Sequence, residues 1–184
     1  MELQELINDI ADTLVAIDSS GVPFKDYQPG VGPYGEPQLL AEVARRLDAM
    51  TIYQGARTQR TPDLLIPGQW ALEFKIARPF GNNGKPAENW SVNLLHPYPG
   101  NVSSIGDCFK LQALQSEERK AIAVIGYAHD PPKTDLTPLI SSFEAIAQHV
   151  MQFALGARTE EQRRNLMHPV HQRLTVFAWE VFGS

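Results

Sequence analysis

The segment Trp70-Ala71-Leu72-Glu73-Phe74-Lys75-Ile76 constrains this chain more than any other. Its large apolar residues fall at every second position, and a period of two belongs to a β-strand. Trp70, Leu72, Phe74 and Ile76 therefore take one face of a sheet, while Glu73 and Lys75 take the other. The dipeptide Pro67-Gly68 just before it is a turn signal, so Pro62–Ile66 and Gln69–Ile76 read as the arms of a hairpin. Such a hairpin carries Asp63 across to the edge that bears Glu73 and Lys75.

The rest of the chain supplies the layers around this hairpin. Leu3, Leu6, Ile7, Ile10, Ala11 and Leu14 recur at helical spacing and predict an N-terminal helix. Residues 18–35 are rich in Gly, Pro and Ser and read as a loop. Glu36-Pro37 then opens a helix over about 37–49, with Leu40, Val43 and Leu47 on one face. Met50–Gln54 reads as a first short strand before the hairpin. Residues 78–103 are broken by Gly, Asn and Pro, and so long a connection belongs near a functional site. Asp107 is read as the cap of a helix carrying Phe109, Leu111 and Leu114 to about residue 118, and Ala121–Tyr127, apolar on both faces, as a central strand. Thr137-Pro138 begins a helix with the stripe Ile140, Phe143, Ala147, Val150 and Phe153. Thr159-Glu160-Glu161-Gln162 spells a capping box before a short helix, and Leu174–Val181 closes the chain as a strand. The fold expected is α/β: a mixed central sheet with an αβββαβ core over residues 36–127, flanked by N-terminal and C-terminal helices, in a single domain 1–184.

Composition narrows the function classes. The 184 residues carry a formal charge of −5, so nucleic acid can be held only through local basic groups or bound cations. The single cysteine, Cys108, forms no intramolecular disulfide and has no CxxC or finger spacing, which makes a reducing cytoplasm the expected location. No apolar run approaches the ~20 residues of a membrane span, and the acidic start Met1-Glu2-Leu3-Gln4-Glu5 is unlike a secretory signal. A phosphate loop of the G-x-x-x-x-G-K type is missing, which disfavours a small-molecule phosphohydrolase.

Two carboxylates a few ångströms apart repel unless a cation sits between them, and hard oxygen ligands completed by water suit Mg²⁺, with Mn²⁺ as a substitute. A lysine beside such a cation can hold a water and offset charge growing on a phosphate. Pro62-Asp63 followed by Glu73-Phe74-Lys75 resembles the motif of the PD-(D/E)XK nuclease superfamily, the restriction-endonuclease-like fold, whose core order is the αβββαβ read above. The resemblance covers about residues 36–127 and rests on the motif's place in a hairpin between two helices. It implies that Asp63 and Glu73 are metal ligands, that the Phe74 carbonyl is a third oxygen, and that Lys75 positions the attacking water. Many members add a glutamate from the preceding helix, here Glu36, which shares the side of Leu40 and Val43, rather than Glu42. Members also place a Lys or Gln on the following helix, matched by Lys110 and Gln112.

The expected function is thus a Mg²⁺-dependent endonuclease acting on DNA, of the restriction, defence or repair kind, working as a homodimer where both strands are cut. The alternative is a non-catalytic nucleic-acid-binding or assembly subunit of the same fold. Plainer roles stand beside several residues. Glu36 also suits a helix start through the macrodipole, and Lys110 also suits a solvated helix face. His168 and His171 lack a third ligand and read as structural or surface histidines. Asn82, Asn83, Lys85, Trp90, His96 and Tyr98 mix donors with aromatics as a nucleic-acid groove does, yet such aromatics equally anchor a loop. Cys108 lies near a helix start without a base, so a nucleophilic role is not expected.

Overall fold

The structure is a computed structural model and describes residues 1–97 and 103–183. Helix α1 (Leu3–Ser19) forms where its stripe requires, with Leu6, Ile7, Ile10 and Leu14 fully buried. Helix α2 (Glu36–Asp48) places Pro37 in its first turn, where a missing N–H leaves no gap, and buries Leu39, Leu40, Val43 and Leu47. Both helices cover the sheet face that carries Trp70, Leu72 and Phe74. The opposite face packs Ile122, Val124, Phe177 and Trp179 against α3 (Val92–Leu95), α4 (Ser104–Ala113) and α5 (Thr137–Ala145).

Five strands lie between these layers in the order β1-β2-β3-β5-β4. They are β1 (Leu64–Ile66), β2 (Trp70–Ala77), β3 (Arg119–Ala128), β4 (Thr159–Arg164) and β5 (Arg173–Glu180). The β1–β2 hairpin, β3–β5 and β5–β4 pair antiparallel, whereas β2 and β3 run parallel. The architecture is therefore a mixed α/β sheet with helices on both sides. β3 holds the middle place and is apolar on both faces, as the run Ala121–Tyr127 predicts. Among the described residues no helix is long and apolar enough to cross a membrane.

Several elements differ from the sequence reading. Met50–Gln54 is not a strand: Thr51–Tyr53 curls into a 3₁₀ turn, with Tyr53 N–H bonded to the Met50 carbonyl at 2.9 Å. Only Tyr53 of this segment is buried, its hydroxyl donating to Asp9 at 2.6 Å, so a single inward residue leaves no alternation to hold a strand. The first strand of the expected core is therefore missing, and ahead of β1 the chain makes only an isolated bridge, Arg57 to Leu65, among the described residues. The capping-box reading of 159–162 also fails, because these residues form β4. Its inward residues bond α1, through Glu161 to Gln4 and Arg163 to Asp12, and its charged outer face blunts a sheet edge. Ser103, not Asp107, caps α4, its hydroxyl accepting from the Gly106 N–H at 3.1 Å. The helix stops at Ala113 rather than near 118, since Leu114 is already extended. The last long helix is α only to Ala145 and continues as a π turn, which leaves Val150 exposed and off the expected stripe.

Candidate active site

The β1–β2 pairing stops where Leu64 faces Leu72, so beyond that point the outer edge of β2 has no strand beside it among the described residues. The backbone N–H groups of Phe74 and Ile76 emerge on this bare edge, and an orphaned buried donor costs about 1–3 kcal/mol. Carboxylates take the place of the missing strand. Asp63 Oδ2 accepts from Phe74 N at 2.9 Å, and Glu36 Oε2 accepts from Ile76 N at 3.1 Å. Asp63 lies one residue before β1, and Glu36 is the first residue of α2, so both acids reach the edge from element starts. Glu42 does not join them, because it binds Arg45 at 2.6 Å and Arg46 at 2.8 Å on its own helix. Those guanidinium groups lower its pKa to about 2.

Lys75 ties the acids together. Its Nζ lies 3.2 Å from Glu36 Oε1, 2.7 Å from Asp107 Oδ2 and 2.6 Å from the Phe74 carbonyl oxygen. Asp107 comes from α4 and is wholly buried, and its other oxygen is 2.5 Å from Lys110 Nζ. Lys110 in turn stands 4.0 Å from Glu73 Oε2. Four acids and two ammonium groups thus gather at the exposed edge of β2, an excess of two acidic groups.

The electrostatics follow from this imbalance. Glu73 is only 1% exposed, and burial, with Asp63 and Asp107 adding repulsion, raises its pKa to about 9. Its Oε1 is buried without a hydrogen-bond partner among the described residues. Burial also raises the pKa of Glu36, against the pull of Lys75. For Lys75, burial opposes the charge, but Glu36 and Asp107 outweigh it and hold the pKa above the ordinary lysine value. The Glu73–Lys75 face is therefore no solvated surface pair.

Among the described residues no three His, Cys, Asp or Glu side chains form a ready-made metal cage. Mg²⁺ does not need one, since it commonly keeps several waters and binds through one or two carboxylates. Asp63 and Glu73 are near enough for their charges to repel, and the unpartnered Glu73 Oε1 is an oxygen that either a proton or a cation would satisfy. The donor set fits a water-rich divalent cation.

Of the remaining sequence candidates, Lys110 reaches the cluster, whereas Gln112 lies about 200° further round the helix and no hydrogen bond joins it to the site among the described residues. Lys85 is exposed on the 81–85 turn, and among the described residues no ion pair joins it to the acids. Asn82 and Trp90 line a cavity of about 380 Å³ that also reaches Glu36, so part of the 78–103 connection does border the site. Asn83 closes the turn instead, and His96 accepts from the Ser103 hydroxyl through its carbonyl. Tyr98 lies outside the described residues. His168 and His171 are buried and stacked 4.7 Å apart, structural rather than surface residues. Cys108 is buried too, which pushes its thiol pKa up and away from reactivity.

Sequence reasoning missed Asp107 and Arg78. Asp107 was assigned to a cap, although its spacing of three from Lys110 on one helix was a usable signal. Arg78 follows β2, bonds the Tyr34 carbonyl and lines the cavity beside Glu36. Compared with protein-family models, with curated proteins and with solved structures, the chain matches none.

Proposed function

We propose that this protein is a Mg²⁺-dependent endonuclease that hydrolyses phosphodiester bonds in DNA. The observation that carries the reading is the convergence of Asp63, Glu73, Glu36 and Lys75 on the strandless edge of β2, with Asp63 and Glu36 bonded to its backbone, Lys75 paired to Glu36, and Glu73 buried beside them. Asp63, Glu73 and the Phe74 carbonyl would hold the cation, which when bound supplies Lewis acidity and a water of lowered pKa. Lys75 neutralises charge developing on the phosphate and orients the attacking water. Glu36 and Asp107 hold the Lys75 ammonium protonated and in place. Lys110 offsets the Asp107 charge that would otherwise repel substrate. Cutting both strands calls for a homodimer, since one such site hydrolyses one strand at a time.

The test is cleavage of plasmid and single-stranded DNA in Mg²⁺, Mn²⁺ or EDTA, with Asp63→Asn as control. Metal-dependent cutting lost in the variant supports the reading. A second reading is favoured by one contact: Lys75 Nζ already occupies the Phe74 carbonyl. An ammonium that permanently holds this oxygen would make the protein a non-catalytic nucleic-acid-binding or assembly subunit. DNA binding by wild type with no cleavage under any metal would decide for it.

A further inference from the structure

The cavity of about 380 Å³ beyond Glu36 is not used by the chemistry above. It lies where β2 runs out into the loop after Ala77, and that loop is shaped by a small hairpin. Phe80 bridges Pro86, and Gly81 N–H bonds the Lys85 carbonyl at 2.9 Å. Two aromatic rings, Phe80 and Trp90, contribute flat apolar surface to the cavity. Two side-chain amides, Asn82 and Asn93, add donors and acceptors at its rim.

The charged lining decides what fits. Glu36 and Glu88 both border the space, so a phosphate is not favoured there. Arg78 is the cation of the lining, but its guanidinium bonds the Tyr34 carbonyl and lies over the Tyr127 ring at 5.6 Å. What remains is aromatic surface with amide and carboxylate groups, which together match the flat face and the amino and carbonyl edge of a nucleobase. The volume suits one base and its sugar, not a base pair within a duplex. Charge points the same way: with a formal net charge of −5, and with Lys75 and Lys110 committed to acids, backbone attraction is weak and stacking has to carry affinity.

We propose that this cavity receives one unpaired nucleobase of the strand being cut, so that the substrate is single-stranded DNA or a locally unpaired stretch rather than intact duplex. That the captured strand is also the one cut rests on the nuclease reading, but base capture itself needs no catalysis. A base held beyond Glu36 anchors the strand next to Asp63, which lines a second cleft of about 200 Å³ on the other side of the same glutamate.

The experiment titrates the four deoxynucleoside monophosphates, a single-stranded oligonucleotide and the matching duplex into the full chain in EDTA, followed by calorimetry. The single strand and at least one mononucleotide should bind, and the single strand should bind at least about tenfold tighter than the duplex. Trp90→Ala should weaken binding by about tenfold or more. Trp90 also packs on the core, so Asn82→Ala and Asn93→Ala serve as variants that leave the packing alone; each should shift the preference among the four bases. Equal affinity for duplex and single strand, or binding unchanged in Trp90→Ala and both asparagine variants, overturns the inference. Cleavage assays separate the two readings. If Mg²⁺-dependent cutting of single strands persists at the wild-type rate in all three variants, the nuclease stands and the base pocket falls. If mononucleotides bind through these residues while no nucleic acid is ever cut, the pocket stands and the nuclease falls.

Discussion

At the scale of single residues, the proposed nuclease function gives Lys75 two duties whose failure can be told apart. As a cation where charge develops, its loss should cost ~10²–10³ in rate. As one of two cations on a wholly buried Asp107, its loss also leaves that charge to Lys110 alone, at a cost below the roughly 3–5 kcal/mol of a fully orphaned buried charge. Lys75→Ala should therefore be both slow and less stable. Adding Asp107→Asn to it should recover part of that stability, because a buried charge left with Lys110 as its one cation goes, while the rate stays low. A double-mutant cycle by urea denaturation and cleavage checks this, and additive stability losses would contradict the pairing. Glu73 makes a different forecast. Its pKa is about 9 in the folded protein against the ordinary value of 4.5, so the native state keeps a proton that the unfolded chain releases between those values. Stability must then fall as pH rises through that window. Glu73→Gln mimics the protonated acid and should be more stable than wild type at pH 8 in EDTA, by an amount on the order of a few kcal/mol. Parallel pH profiles for the two proteins would show that Glu73 is already ionised and paired.

At the scale of elements, the bare edge of β2 explains why Glu36 and Glu42 cannot exchange roles. Glu36→Gln keeps an oxygen for the Ile76 N–H and should hardly change stability, yet it removes a charge that holds Lys75, so activity should fall. Glu36→Ala orphans that N–H and should cost about 1–3 kcal/mol as well. Glu42→Gln should leave activity at wild-type level and cost under about 1 kcal/mol, since its partners are surface arginines. Loss of activity in Glu42→Gln but not in Glu36→Gln would reverse the assignment of the helix face. The contrast between these glutamates was legible in the sequence, because helical geometry puts Glu36 with Leu40 and Val43. The strand alternation from Trp70 to Ile76 was legible for the same reason: period two fixes a face whatever the neighbours do. Other elements were not, because their structure is decided by pairing at long range. Thr159–Arg164 is polar throughout and becomes a strand only by lying along β5 and bonding α1. Met50–Gln54 reads as a strand from its β-prone residues, but no partner strand reaches it among the described residues. Asp107 was seen in the sequence, but its role was not, since only the packing of α4 on β2 brings it to Lys75.

At the scale of the whole molecule, a buried polar knot joins segments that are far apart in the chain. Asp18, near the end of α1, accepts from Val31 N at 2.9 Å and from Met167 N at 2.8 Å. His171 bonds the Phe80 carbonyl at 3.0 Å and stacks on His168, with Tyr127 of β3 alongside. The glycine-rich loop before α2 closes over them, and Gly32 has to be glycine because a Cβ there would stand 2.3 Å from His171 Nδ1. Burial lowers the His171 pKa to about 4; His168, Arg78 and His129 oppose its charge, and the Phe80 contact opposes the shift. Burial also lowers His168 and His129. The folded state therefore refuses protons that the unfolded chain accepts below about pH 6.5. The stability this contributes is complete above that pH and is lost as pH falls, for His171 toward about 4. For His171 alone, moving from pH 8 to pH 5 should remove about 2 kcal/mol. His171→Gln keeps an N–H for Phe80 but cannot titrate, so it should lose less stability over the same interval, whatever its stability at pH 8. Urea denaturation of both proteins at pH 8, 6.5 and 5 measures the difference of differences. If the two proteins lose stability equally, His171 is protonated in the folded state, and the knot between α1, the loop after β2 and the segment before β5 tolerates a charge that its burial should exclude.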